Sequence, residues 1–248
     1  MSPEPVLLAI VIATFLFAGA AKGIVGFGLP TIALALLTLA DALYGAMAML
    51  LLPSLVTNIW QAVEGGSPLR LIRRLWRFLL PATLAVWVGL WLARDLETAA
   101  LVRLLGLLLV LYGLSGLLGW RPALSARRDR LAGPVAGTLN GLLTGMTGSF
   151  VVPGVIYLQA LGLARDQLVQ AMGILFTAST LALLAALAGG GLLSVDLGLM
   201  SAIGVPAALA GMLLGRRIRT LLPEARFRQV FQAAILVLGI SVMASGGA

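Results

Sequence analysis

The chain has a single lysine, Lys22, and it stands in the stretch GAAKGIVGFGLP inside an otherwise apolar run, beside Gly23, Gly26, Gly28 and Pro30. Glycines at this spacing allow positive φ, and Pro30 fits the first turn of a helix because its missing N–H is not needed there. The stretch therefore predicts a helix that breaks and restarts. A restarting helix presents unpaired N–H groups and the positive end of its dipole, which favour an anion, and Lys22 adds a full charge. Gly26, Phe27 and Gly28 are candidate lining residues of such a site.

A second stretch, TGMTGSFVVP, repeats the pattern with Thr144, Thr147, Gly148, Ser149 and Phe150, where Thr147 or Ser149 would cap the restart and Pro153 lies just inside it. Two positive helix ends converging near the membrane midplane would then form one anion site. Thr57, Asn58, Gln61, Asn140 and Thr177 supply further polar groups, and Asn58 and Gln61, three apart, share a helix face. The competing roles are interhelical hydrogen bonding for the amides and back-bonding to the same helix for a lone hydroxyl. For Lys22 the competing role is a headgroup contact, since a helical Pro5–Ala21 spans roughly 25 Å.

The elements that position these groups follow from composition. Of 248 residues 60% are hydrophobic and 10% charged, and the mean hydropathy is +1.07. This predicts an all-α membrane protein, a polytopic helical bundle. The net charge of +8 comes from arginines flanking apolar segments, a topology signal and not a nucleic-acid surface. Cysteine and histidine are absent, which removes thiolate and imidazole metal ligands and histidine acid–base chemistry. No metal, cofactor or catalytic residue is expected. The first residues lack the basic segment of a secretion signal and read as a retained membrane segment.

The segments form two sets. The first repeat, residues 1–119, holds a broken block at 5–40 and helices at 43–63, 78–93 and 100–119; its breaks fall at Gly23 to Gly28. A linker at 120–130 leads to the second repeat, 131–248, with a broken block at 131–163, interrupted at Gly145 to Ser149, and helices at 167–188, 195–215 and 227–244. AMAMLLLPS (Ala46 to Ser54) aligns with AMGILFTAS (Ala171 to Ser179), and Gly65 and Gly66 with Gly190 and Gly191. The basic segment PLRLIRRLWRFLLP is expected to lie along the membrane surface.

Three arginine clusters (Arg70, Arg73, Arg74, Arg77; Arg121, Arg127, Arg128, Arg130; Arg216, Arg217, Arg219, Arg226, Arg228) fall on one side only if each broken block is a hairpin with both ends on the same side. Each repeat then has a hairpin and three crossings, so the two halves are inverted relative to each other, and both termini are external.

KGIVGFGLP, LPSLVTNIWQAVEGG and GLLTGMTGSFVVPGVIYLQALGL, with the four-plus-four layout, resemble the TauE/SafE sulfite exporter family. The resemblance implies a multi-pass bacterial inner-membrane carrier of sulfite or an organosulfonate such as sulfoacetate. Gly26, Gly28 and Pro30 match the family's first glycine-rich turn, and Gly145 and Gly148 match the second loosely. Phe27 and Leu29 stand where the family frequently has small residues, and Ser149 and Phe150 where it usually has glycines, so Phe27 and Phe150 would narrow the pocket or stack on an organic tail. The expected partners are a small anion and the lipid bilayer, without nucleic acid, and homo-oligomerisation stays open. The alternatives are an anion channel on the same site and a membrane enzyme or assembly protein. An enzyme would have only Lys22 and scattered hydroxyls to work with.

Overall fold

The computed structural model describes residues 5–64, 66–120, 123–219 and 224–246, and all regular elements among them are α-helices. Gly65, Arg121 and the two chain ends lie outside the described residues. Helix α1 (Pro5–Val25) breaks at Gly26 and Gly28, whose φ angles of 92° and 105° only glycine adopts readily, and α2 (Leu29–Ala40) restarts with Pro30 in its first turn. The break is shorter than expected, because Gly23 is still helical.

Helices α3 (Leu43–Met49) and α4 (Leu51–Glu64) form one span bent by 44°. Pro53 accounts for the bend, since it has no N–H for the carbonyl four residues back, that of Met49. Next comes α5 (Pro68–Ala93), one helix from Pro68 onward, so the arginine-rich stretch continues the span and does not form a separate surface helix. Leu71, Leu75 and Phe78 keep an apolar stripe buried while Arg70, Arg73, Arg74 and Arg77 are exposed.

The chain continues through α6 (Thr98–Leu117), α7 (Ala126–Thr147), the short α8 (Gly154–Ala160), α9 (Arg165–Gly189), α10 (Val195–Arg219) and α11 (Glu224–Ser245). Among the described residues six helices are long and apolar enough to cross a membrane, or seven with the bent pair. Helix α7 is long enough but too polar to count; it is held by packing on α5.

Lipid gives helices no hydrophobic reason to associate, so close backbone contact through small residues holds such bundles together. A methyl group on Gly19 or Gly23 of α1 would collide with the carbonyl oxygens of Ala208 and Met212 of α10. Likewise, Gly141 and Gly145 of α7 abut the carbonyls of Ala82 and Val86 of α5. In both pairs the contacts advance together along the two chains, so α1 runs parallel to α10 and α7 parallel to α5. By contrast α6 is antiparallel to α11, with Gly106 beside Gly239 and Met243, and Gly116 beside Gln232. Helices α4 and α9 are also antiparallel, since the end of α4 at Glu64 and the start of α9 at Arg165 and Asp166 line one cavity; Gln61 Nε2 donates to Val169 O at 2.6 Å and Gln170 Nε2 to Ala62 O at 2.8 Å between them.

The described arginines of the three clusters gather at one end of the bundle. Arg74 and Arg77 share a pocket with Arg130, and Arg165 lines one cavity with Arg228 and another with Arg216 and Arg219. At the opposite end Arg103 Nε donates to Gly246 O at 3.0 Å. Helices α1 and α4 both run toward the arginine-rich end, so α2 carries the chain back between them. Around α8 the ends meet likewise: Leu124 N donates to Ala160 O at 2.9 Å and Tyr157 Oη to Asp129 Oδ1 at 2.6 Å.

Candidate anion site

The parallel pairing of α1 with α10 sets Lys22 beside the last turn of α10, where Gly215 precedes Arg216. Lys22 lies at the depth of that end of the bundle, as a headgroup contact would, yet its side chain is only 3% exposed. It turns inward to α4, where Nζ donates to Thr57 Oγ1 at 3.2 Å and to Asn58 Oδ1. The Thr57 hydroxyl donates onward to Pro53 O at 2.8 Å, so its oxygen is free to accept from Lys22. Both partners are neutral. Among the described residues Lys22 has no ion-pair partner.

Lys22 lines a cavity of ≈ 390 Å³ with Gly23 and Gly26 of the first hairpin, Gln61 and Glu64 of α4, Arg165, Asp166, Val169 and Gln170 of α9, and Met212, Arg216 and Arg219 of α10. Four cations and two carboxylates make it net positive. Arg216 engages Glu64 with both guanidinium nitrogens, at 2.8 and 2.5 Å, and lies 5.4 Å from the Trp60 ring centre. The pair is partly exposed, so it orients Arg216 more than it stabilises the fold. At this site two buried amide atoms lack partners, Asn58 Nδ2 and Gln61 Oε1. Unpaired polar atoms of this kind are costly inside a protein and suit a polar ligand.

The structure thus brings Lys22, Gly26, Thr57, Asn58 and Gln61 together. It places the remaining candidates elsewhere. Gly28 is covered by the Phe231 ring, and Phe27 meets Phe231 edge-on at 5.7 Å and lines a different cavity. The N–H of Gly26 bonds to Lys22 O at 2.7 Å, so it is not available to a ligand.

Around the second break the polar groups serve the turn. Asn140 Oδ1 accepts from Gly154 N at 2.9 Å and so caps α8, the role expected of Thr147 or Ser149. Thr144 Oγ1 donates to Ser149 O at 2.9 Å, and Thr147 Oγ1 donates to Leu143 O and accepts from Ser149 N. Gly148 (φ 75°) faces Met47 and Leu34, Phe150 packs 6.0 Å from Phe176, and Thr177 bonds back to Gly173 O at 2.7 Å. The two tips therefore do not share a midplane cavity among the described residues. The reason is direction: α1 runs toward the arginine-rich end and α7 away from it, so their tips lie at opposite ends.

The described residues thus form a polytopic helical bundle with a buried lysine, held by neutral acceptors alone, at the wall of a net-positive cavity. The sequence matches the family model for the sulfite exporter TauE/SafE over residues 11–242. The chain belongs to that family, whose members are membrane transporters of sulfite and related sulfur anions. No curated protein and no solved structure matches the chain.

Arg165, Gln170, Met212 and Arg216 were not legible as site residues. Arg216 reads in the sequence as a topology signal, and nothing in its spacing from Lys22 shows that α1 and α10 lie side by side. Gln170, one of two amides at the head of an apolar segment, carried the one usable signal.

Proposed function

We propose that the protein is a secondary carrier of a small sulfur oxyanion, sulfite or an organosulfonate, which binds at Lys22 near the arginine-rich end of the bundle. The single observation that carries this reading is the burial of Lys22 with only neutral acceptors. An ammonium has three N–H donors, of which Thr57 and Asn58 take two, and a charge this deep needs a counter-ion. The anion supplies it, accepting the third N–H, with Gln61, Gln170 and Arg216 at the cavity wall.

By the positive-inside rule the arginine-rich end is cytoplasmic, which places the starts of α1 and the end of α11 on the periplasmic side of a bacterial inner membrane. The halves act as inverted repeats. The exchanged pairing supports this, because α1 pairs with α10 as α7 pairs with α5, while α4 pairs with α9 and α6 with α11. Rocking of one half against the other would then expose Lys22 to either side. No carboxylate relay is part of the mechanism: Glu64 and Asp166 stand at helix ends by the cavity mouth.

Purified protein in liposomes is expected to take up radiolabelled sulfite saturably, at a rate set by the membrane potential. Unitary currents would make the protein a channel, and an absence of flux for both sulfite and short sulfonates would remove the carrier reading.

A further inference from the structure

Three buried polar atoms without hydrogen-bond partners fall on α4: Ser54 Oγ, Asn58 Nδ2 and Gln61 Oε1. Their residues stand at the i, i+4, i+7 spacing of a single helical face. Ser54 and Asn58 are 0% exposed and Gln61 5%. The Lys22 cavity reaches Gln61, while Asn58 and Ser54 lie about one and two turns deeper, so the stripe runs ~10 Å from the cavity wall into the bundle. Lys22 Nζ meets it midway, at Asn58 Oδ1 and the adjoining Thr57 hydroxyl. Beyond Ser54 the chain turns apolar, with Leu51, Leu50 and Met47 all buried.

Ser54 differs from its neighbours in how its hydroxyl is used. Thr57, Thr177 and Thr180 donate to carbonyls of their own helices. Ser54 makes no such bond, although a buried hydroxyl left unpaired costs free energy. It also sits beside the 44° bend between α3 and α4, and discontinuous helices of this kind line substrate sites in secondary transporters.

We propose that Asn58 Nδ2 and Ser54 Oγ form a second resting position for the transported oxyanion, deeper in the bundle than Lys22, and that the anion leaves the cavity along this face of α4. The inference rests on the reading that Lys22 holds the anion. Asn58 Nδ2 donates and the Ser54 hydroxyl can donate, which matches a ligand that offers several acceptor oxygens, and no carboxylate stands on the stripe to attract a cation. Passing from Lys22 to Ser54, the oxyanion keeps the Asn58 donor throughout, so it is never stripped of every hydrogen bond at once. Gln61 Oε1, an acceptor, stands at the cavity end of the stripe, where water or a protonated oxygen of the anion donates to it.

The chain has no cysteine, so Ser54→Cys places a single thiol at this depth. The experiment adds 2-sulfonatoethyl methanethiosulfonate, or its cationic trimethylammonioethyl counterpart, to proteoliposomes from the arginine-rich side and follows modification by mass spectrometry. Relative to free cysteine, the anionic reagent is expected to modify the introduced thiol at least ~10-fold faster than the cationic one, and saturating sulfite should slow it. Ser54→Ala should lower the maximal rate of sulfite uptake ~10-fold and leave equilibrium sulfite affinity within ~2-fold of wild type. An inert thiol, one that the cationic reagent modifies as fast, or unimpaired uptake by Ser54→Ala would each overturn the proposal. Ser54→Ala removes only a hydroxyl oxygen, so it reports even if the thiol variant inserts poorly. Failure of the carrier reading looks different: wild type then moves no sulfite, or Lys22→Met binds it as well as wild type does. Failure of this inference alone leaves wild-type uptake intact and dependent on Lys22.

Discussion

Lys22→Met is expected to reduce sulfite uptake at sub-saturating concentration by about 10- to 100-fold, with insertion and melting temperature nearly unchanged. A hydrogen bond to a charged group is worth about 1.5–3 kcal/mol, and each 1.4 kcal/mol is tenfold in affinity. The methionine fills the volume of the lysine stem and removes the charge. The fold should tolerate the change, because replacing a buried charge by an apolar side chain of similar size is often neutral. Initial rates across a sulfite series separate the two roles of Lys22: a rise in KM marks lost binding, while a fall in maximal rate alone would move its role to the transport step. Lys22→Arg keeps the charge and should lose less, though its planar head fits the Thr57 and Asn58 acceptors poorly.

Gly23→Val should be the most destabilising substitution near the site. A Cβ there would collide with Met212 O and lie 2.9 Å from both Arg216 N and Gly215 Cα. Every one of these is a backbone atom, so no side-chain rotation relieves the contact, and α1 must move off α10. Overpacking costs about 1–3 kcal/mol and sometimes more, which at this chain length lowers the melting temperature by about 2–12 °C. Thermal melting of purified protein checks this. Gly198→Ala, on the exposed face of α10 with open space around it, should melt as the wild type does. Equal melting temperatures for the two variants would mean that the α1–α10 contact does not hold the bundle.

The apolar segments, the restart at Pro30 and the polar group on α4 could all be read from the sequence, each for a physical reason. Apolar length reports membrane spans, two glycines before a proline report a break, and Asn58 and Gln61 in an apolar run must face a partner. Gly23 and Gly145 were read as breaks and are helical. A glycine that breaks a helix and one that lets two helices touch are the same residue in a sequence, and only the partner helix decides between them. The basic stretch after Pro68 misled similarly, because long arginine side chains reach water from the end of a spanning helix. Thr144, Thr147 and Thr177 drew attention as ligands, yet their hydroxyls bond to carbonyls within five residues. The far wall of the cavity was not legible at all, since α9 and α10 reach Lys22 only through tertiary pairing.

If a bound anion is the counter-ion of Lys22, as the proposed carrier function has it, Asn58→Asp should abolish sulfite binding. Asn58 Oδ1 already accepts from Lys22 Nζ, so the substitution places a carboxylate against the ammonium with almost no change in shape. Binding of radiolabelled sulfite to purified protein, measured alongside melting temperature, is the experiment to run. The expected result is a folded protein, at least as stable as wild type, that no longer binds sulfite because the built-in carboxylate occupies the anion's place. Wild-type sulfite affinity in a folded Asn58→Asp protein would contradict it and put the anion site away from Lys22.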